Sequence, residues 1–423
     1  RADGKILRFD FPEIVLDEYN SIPAEQAKSL YLTVAILHRL GVSVRAGLIS
    51  RVHGVSFTHF KENLFNPLEY VVFAVKDSRV NDYVYQTRHP LIAEMVFEQV
   101  LNSPQARFDE YVRVINNLDI DYYSDSIGFK GLVNAKNLLL QFPDPQMVRQ
   151  LFEFASKRSV DDPMLMQQMA IFEMTSPAGI IERASELLHE AARLAPWSKP
   201  IAHSFVELSI KKSDKAQTGL EKTKHLNEAY SAVSKLVRED QETSHVHHTL
   251  IKIETTKLKE ILSTADQAAI ERSVKSIEAT IQLAKQKFPD DSFILDAESQ
   301  FSALIQDEPR AFDAIRKAFA VNKRSPYVAI RLSTIYSKMN QTEKAEGTLR
   351  EALELNPSEK DLNYRLATLL LDKPKPELNE IRHYLRRAFT VNDNRLLSQF
   401  AFARVSFLLN DIPEATRVFD SLK

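Results

Sequence analysis

Cysteine is absent from the chain, which rules out disulfides and thiolate metal sites and fits a cytoplasmic protein. Glycine is scarce, 9 residues in 423, so the sequence lacks the glycine punctuation of a sheet-rich fold. Neither charge dominates. With 55 Lys and Arg against 57 Asp and Glu the formal net charge is −2, leaving no broad basic field, and DNA binding is disfavoured. No apolar run reaches the roughly 18–20 residues that span a bilayer; the longest, Leu30–Leu37 and Tyr70–Val75, suit buried elements, and no membrane association is expected. There is no phosphate loop, no G-x-S-x-G and no H-E-x-x-H, so no catalytic residue and no metal site is assigned. The start, RADGKILRFD, carries neither an initiator Met nor a signal-peptide pattern, and is expected to follow further sequence upstream.

What is present is helix-forming sequence with an internal repeat. Ala or Ile recurs with an apolar residue four later and a small residue seven later, often with Pro beyond: Ala184, Leu188, Ala191, Pro196, and again Ile277, Ile281, Ala284, Pro289. The series continues through Ala311, Ile315, Ala318; Ala345, Leu349, Ala352, Pro357; Ile381, Leu385, Ala388; and Ala415, Phe419. From Ile277 the intervals are 34, 34, 36 and 34 residues. Four- and seven-residue steps place these side chains on one stripe of a helix, and small residues there let a second helix approach closely. Proline just past the helix end loses no needed donor. A looser match at Ala229, Val233 and Leu236 bridges the gap after Ala184.

The period resembles that of the tetratricopeptide family, two helices per unit, most closely over Pro326–Pro357. That resemblance implies a solenoid binding a protein ligand on its concave face. First-helix residues pointing off the packing stripe are then the candidate partner contacts: His203, Glu207, Tyr327, Thr334, Lys338, Tyr364 and Thr368. The Lys-to-Asn spacing of a chaperone-tail clamp is not met, because Tyr364 follows Lys360 at that distance.

Residues 1–102 do not follow the repeat. Pro23–Leu40 reads as an amphipathic helix closed by Gly41, Val44–His53 as a shorter helix closed by Gly54, and Ser56–Leu64 as a third. Tyr70–Val75 and Asp82–Gln86 alternate as a hairpin, and Pro90 opens a last helix. Three helices, a β wing and a closing helix make a winged-helix pattern, giving a mainly α fold class with a small β wing followed by an α-solenoid. The domains expected are a winged helix over 1–102, a helical connector or degenerate repeats over 103–175, and the tetratricopeptide-like array over 176–423.

The stretch YVYQTRHPLIAEMVFEQVL resembles the end of the winged-helix domain of STAND ATPases, the class of NOD-like receptors, and the order of the two regions is similar to that of bacterial antiphage members. In that family a Met-His-Asp motif opens the last helix; here it is Arg88-His89-Pro90, departing at both flanks. The resemblance implies that His89, with Arg88 beside it, senses nucleotide phosphate. It also implies a viral or other protein ligand on the repeats, an upstream nucleotide-binding core using ADP or ATP, and oligomerisation on activation; this chain itself would hold no cofactor. The alternative is a tetratricopeptide scaffold or winged-helix transcription regulator. Two further clusters read as bland: His245, His247 and His248 as surface or interface residues, since i and i+2 diverge on a helix, and Asp119, Asp121 and Asp125 as a solvated turn.

Overall fold

A computed structural model describes residues 11–55, 66–77, 82–239, 243–263, 266–357, 359–388 and 396–421. The chain divides into two compact units, Arg1–Ser204 and Phe205–Lys423.

The first unit opens with α1 (Phe11–Asn20) and α2 (Glu25–His38), then a two-residue strand β1 (Val44–Arg45) and α3 (Ala46–His53). The hairpin β2 (Val72–Asp77) and β3 (Asp82–Thr87) precedes α4 (Pro90–Val100). The expected helix over Val44–His53 therefore begins two residues late. Val44 and Arg45 are extended and pair antiparallel with Tyr85 and Val84, giving a three-stranded sheet in the order β1-β3-β2. Hairpin register runs from Val72 opposite Thr87 to Asp77 opposite Asp82. The third helix expected at Ser56–Leu64 lies outside the described residues.

Six helices complete the unit: α5 (Pro104–Asn117), α6 (Tyr123–Leu132), α7 (Ala135–Gln141), α8 (Pro145–Arg158), α9 (Pro163–Thr175) and α10 (Ile181–Leu194). Four of them start on side-chain caps, Ser103, Asn134, Asp144 and Asp162, each accepting from first-turn N–H groups that have no helical partner. One apolar cluster extends from Val15 to Phe172, with α2 buried along Leu30–Leu37 at its centre.

α11 (Lys199–Lys215) leads to the second unit: α12 (Gly219–Glu239), α13 (Ser244–Ile261), α14 (Gln267–Lys287), α15 (Ser292–Leu304), α16 (Glu308–Val321), α17 (Pro326–Lys338), α18 (Thr342–Leu355), α19 (Lys360–Leu371), α20 (Leu378–Ala388), α21 (Leu396–Leu408) and α22 (Ile412–Ser421). From α13 onward successive helices pack as hairpins, and the first helix of each hairpin packs on its predecessor. Every stripe residue from Ile277 to Ala388 named above is essentially inaccessible, since these side chains form the seam between paired helices. Phe419 departs from the series and is 39% exposed.

The turn inside three of these hairpins repeats too. Gln306, Asn340 and Asn410 adopt left-handed backbone, at φ 63°, 57° and 61°. The following N–H groups of Asp307, Gln341 and Asp411 return to Ser302, Tyr336 and Ser406 carbonyls, each at 2.9 Å. This six-to-one closure satisfies carbonyls left open at the helix end, and it does so without glycine. The α19–α20 connection carries two extra residues and two prolines, Pro374 and Pro376, and lies outside this pattern.

Candidate functional site

Polar residues of the first helices, buried Asp296 and half-buried Arg331, Thr334 and Arg365, come together across α15, α17 and α19. The Arg331 guanidinium on α17 pairs with Asp296 on α15, whose other oxygen accepts from Gln300 at 3.0 Å. One turn along α17 the Thr334 hydroxyl donates to the Ile330 carbonyl at 2.7 Å and accepts from Arg365 of α19 at 3.2 Å. Burial raises the Asp296 carboxyl above its ordinary range, and the Arg331 charge opposes that shift. The result is a polar ladder linking three consecutive first helices.

Of the candidate contacts, Tyr327 is exposed at 73%, Lys338 is exposed, and Thr334 belongs to the ladder. Tyr364 is half-buried against the apolar cluster of the unit, and the Thr368 hydroxyl donates to the Arg365 carbonyl at 2.9 Å. The structure thus ties Thr334 and Thr368 to one residue, Arg365. His203 and Glu207 are half-buried on α11; His203 belongs to the first unit and the other six candidates to the second. Sequence reasoning missed Asp296, Arg331 and Arg365. Arg331 and Arg365 stand one repeat apart in the sequence, the signal that could have found them.

The histidine cluster is an aromatic assembly at the start of α13. His245 and His248 rings stack at 6.1 Å, and Phe293 of α15 meets them at 6.3 and 5.8 Å. His247 turns the other way, onto Phe288 at 5.5 Å. Burial, then His245 and Lys252, hold the His248 imidazole down to a pKa of about 4. Among the described residues no group of three metal-ligating side chains is placed to hold an ion, and no helix is long and apolar enough to cross a membrane.

In the first unit His89 is exposed at the N-cap of α4, where its Nδ1 accepts the Leu91 N–H at 3.1 Å. That bond engages Nδ1 as an acceptor for one of the first-turn N–H groups of α4. Its carbonyl accepts from Thr87 at 3.0 Å, and the Thr87 hydroxyl also meets buried His38 Nδ1 at 2.7 Å. Arg88 is half-exposed and pairs with Glu18 of α1 beside a shallow groove of about 440 Å³ lined by Ile14, Asp17, Ser21 and Ile92. His89 and Arg88 are neighbours in sequence, but the structure engages them with different partners.

The acidic loop is corrected. Asp125 is buried, because Arg45 grips both of its oxygens at 2.9 and 3.1 Å, Arg51 adds a bond at 3.0 Å, and the Asp119 N–H a fourth at 2.9 Å. It is an ionic hub joining β1, α3 and the loop at Asp119 to the first turn of α6, not a solvated turn.

No protein-family model matches this chain, and no curated protein matches it. Solved structures similar to it include yeast Tom70, 16% identical over 96% of this chain and 80% of that one, with a TM-score of 0.47. A tetratricopeptide protein of Thermus thermophilus is 16% identical over 49% of this chain and 99% of its own, at a TM-score of 0.39. Pseudomonas aeruginosa pilF is 15% identical over 51% of this chain and 88% of its own, at a TM-score of 0.37. These likenesses are distant, and the architecture rests on the period, the buried stripe and the repeated turn. The second unit is a tetratricopeptide-like helical repeat.

Proposed function

We propose that this chain is the sensing and autoregulatory part of a STAND-type ATPase receptor, in which the tetratricopeptide-like hairpins bind a protein partner and the N-terminal region couples that event to a nucleotide-binding core. In this reading 1–102 is a winged-helix coupling module, 103–175 a connector and 176–423 the sensor array. The observation that carries it is the pairing of β1 with β3 between α3 and a hairpin that delivers His89 to the start of α4. Helix, strand, helix, hairpin and helix in that order are the parts such a module needs. The exposed His89 ring, set at the N-terminus of α4, supports a contact with a nucleotide phosphate. Arg88 would join it only by leaving Glu18. Partner contacts at Tyr327, Thr334, Lys338, Tyr364 and Thr368 would favour the arrangement released from ADP, a shift in population set by differential affinity. A viral protein is the ligand class the resemblance suggests, with oligomerisation of the complete protein as output.

Two tests separate the levels of this reading. The coding sequence ahead of Arg1 should encode a phosphate loop and an acidic magnesium-binding strand; without them the nucleotide coupling falls, and a tetratricopeptide scaffold remains. A photo-crosslinking residue at position 327 should capture a protein partner in cells, and the capture should be lost in Thr334→Ala/Lys338→Glu. Equal capture by both chains would remove the partner-binding role of this face.

A further inference from the structure

On α21 apolar residues occupy the exposed side as well as the buried one. Its buried side carries Ser398, Gln399, Phe402, Ala403, Val405 and Ser406, while Leu396, Leu397, Phe400, Phe407 and Leu408 are between 52 and 72% exposed. At 100° per residue these five, with Arg404 among them, fall within a stripe about 120° wide. On α17, two periods earlier, the same register carries Tyr327, Ile330, Thr334, Ser337 and Lys338, a largely polar stripe. The apolar stripe continues onto α22, where Phe400 meets Phe419 edge-on at 6.0 Å and Ile412 is exposed. A helix apolar on all sides is ordinarily covered on all sides, and an exposed apolar patch of this kind marks an interface.

Arg404 decides what covers it. It lies one turn from both Phe400 and Leu408, and among the described residues it has no carboxylate partner. A symmetric pairing of α21 with a second copy centred there would set guanidinium against guanidinium, a like-charge contact that costs binding. A foreign helix with an apolar stripe and one carboxylate fits both features, in the helix-on-groove manner of peptide recognition. Resting on the partner-binding reading above, we infer that the exposed stripe of α21 and α22 is the anchor for an amphipathic acidic helix of a protein partner, with Arg404 pairing its carboxylate and Phe400, Phe407 and Leu408 holding its apolar side chains.

The test uses the full chain and two labelled synthetic helical peptides, identical in their Leu stripe but carrying Glu or Lys at the central position. The Glu peptide should bind saturably in fluorescence anisotropy and prefer the natural chain over Arg404→Glu by at least about tenfold, while the Lys peptide should show the opposite preference. Phe407→Glu should abolish binding of both, with circular dichroism confirming that each variant is folded. Absence of saturable binding, or equal affinity of the two peptides for both chains, overturns the inference. So does a dimer of the natural chain in light scattering that Phe407→Glu dissolves, since a second copy would then be the occupant. The crosslink at position 327 sits on α17, so its persistence when peptide binding fails would overturn the α21 anchor alone.

Discussion

Arg45 and Asp125, 80 residues apart in the chain, meet in a two-bonded ion pair, with the Arg45 guanidinium also lying 3.6 Å from the centre of the Tyr122 ring. The pair fastens the strand that completes the small sheet to the first turn of α6. Its carboxylate accepts five hydrogen bonds, the fifth from the Ser124 hydroxyl at 3.4 Å, and has almost no solvent.

Removing that carboxylate leaves two arginines facing each other in a half-dry site. Asp125→Ala should therefore destabilise the first unit by about 3–5 kcal/mol, the cost of breaking a buried ion pair from one side. Urea unfolding followed in the first unit reads this directly. A loss under about 1 kcal/mol would mean the hub is solvated after all.

The seam between α17 and α18 depends on Leu349, which is fully buried. Leu349→Ala should cost about 2–5 kcal/mol through lost burial and the cavity left behind. The opposite change, Ala352→Leu, should cost about 1–3 kcal/mol by pushing the helices apart. Chemical denaturation of the two variants tests whether the small residue at the third stripe position is a spacing requirement.

Asn340 holds a left-handed turn without glycine. Asn340→Val should destabilise by about 1–2 kcal/mol, because a β-branched side chain clashes there. Asn340→Gly should stay within about 1 kcal/mol of the natural chain. Thermal melts of the pair distinguish backbone strain from loss of an amide hydrogen bond, since Gly removes the amide and relieves the strain.

His53 and His248 are both held down to pKa values of about 4, His53 by burial and by Arg113, His248 by burial, His245 and Lys252. The native state therefore binds fewer protons than the unfolded chain between the ordinary imidazole pKa of about 6.5 and about 4. Stability should be complete above that window and fall as pH drops through it. His248→Phe keeps the ring against Phe293 and removes the titration, so its melting temperature should decline less between about pH 7 and about pH 4.5. An identical slope for both chains would show that His248 does not contribute to it.

The repeat was legible because its determinants are local. Ala345, Leu349 and Ala352 sit within one helix, and their spacing states which side is covered. The hairpin of β2 and β3 was legible for the same reason, as alternation over a few residues. Features built from distant residues were not. Asp125 reads as one acid among three until Arg45 and Arg51 are brought to it from far up the chain. β1 is too short to announce itself, and extends only because β3 offers it partners. The ladder residues Arg331 and Arg365 carry a periodic signal, yet charge at that period looks like ordinary solvation until Asp296 and Thr334 are placed. On α21 apolar residues fall on every side of the helix, and sequence does not say which of them are covered.

Repeating hairpins that lean only on their immediate neighbours hold stability locally. Damage in one hairpin is felt by the hairpins beside it and little further along, so opening should proceed hairpin by hairpin instead of occurring in one step. A ligand seated on α21 and α22 should therefore slow deuterium exchange of the backbone amides in those two helices and leave the amides of α15 and α16 nearly unchanged, because the protection it lends stays where it sits.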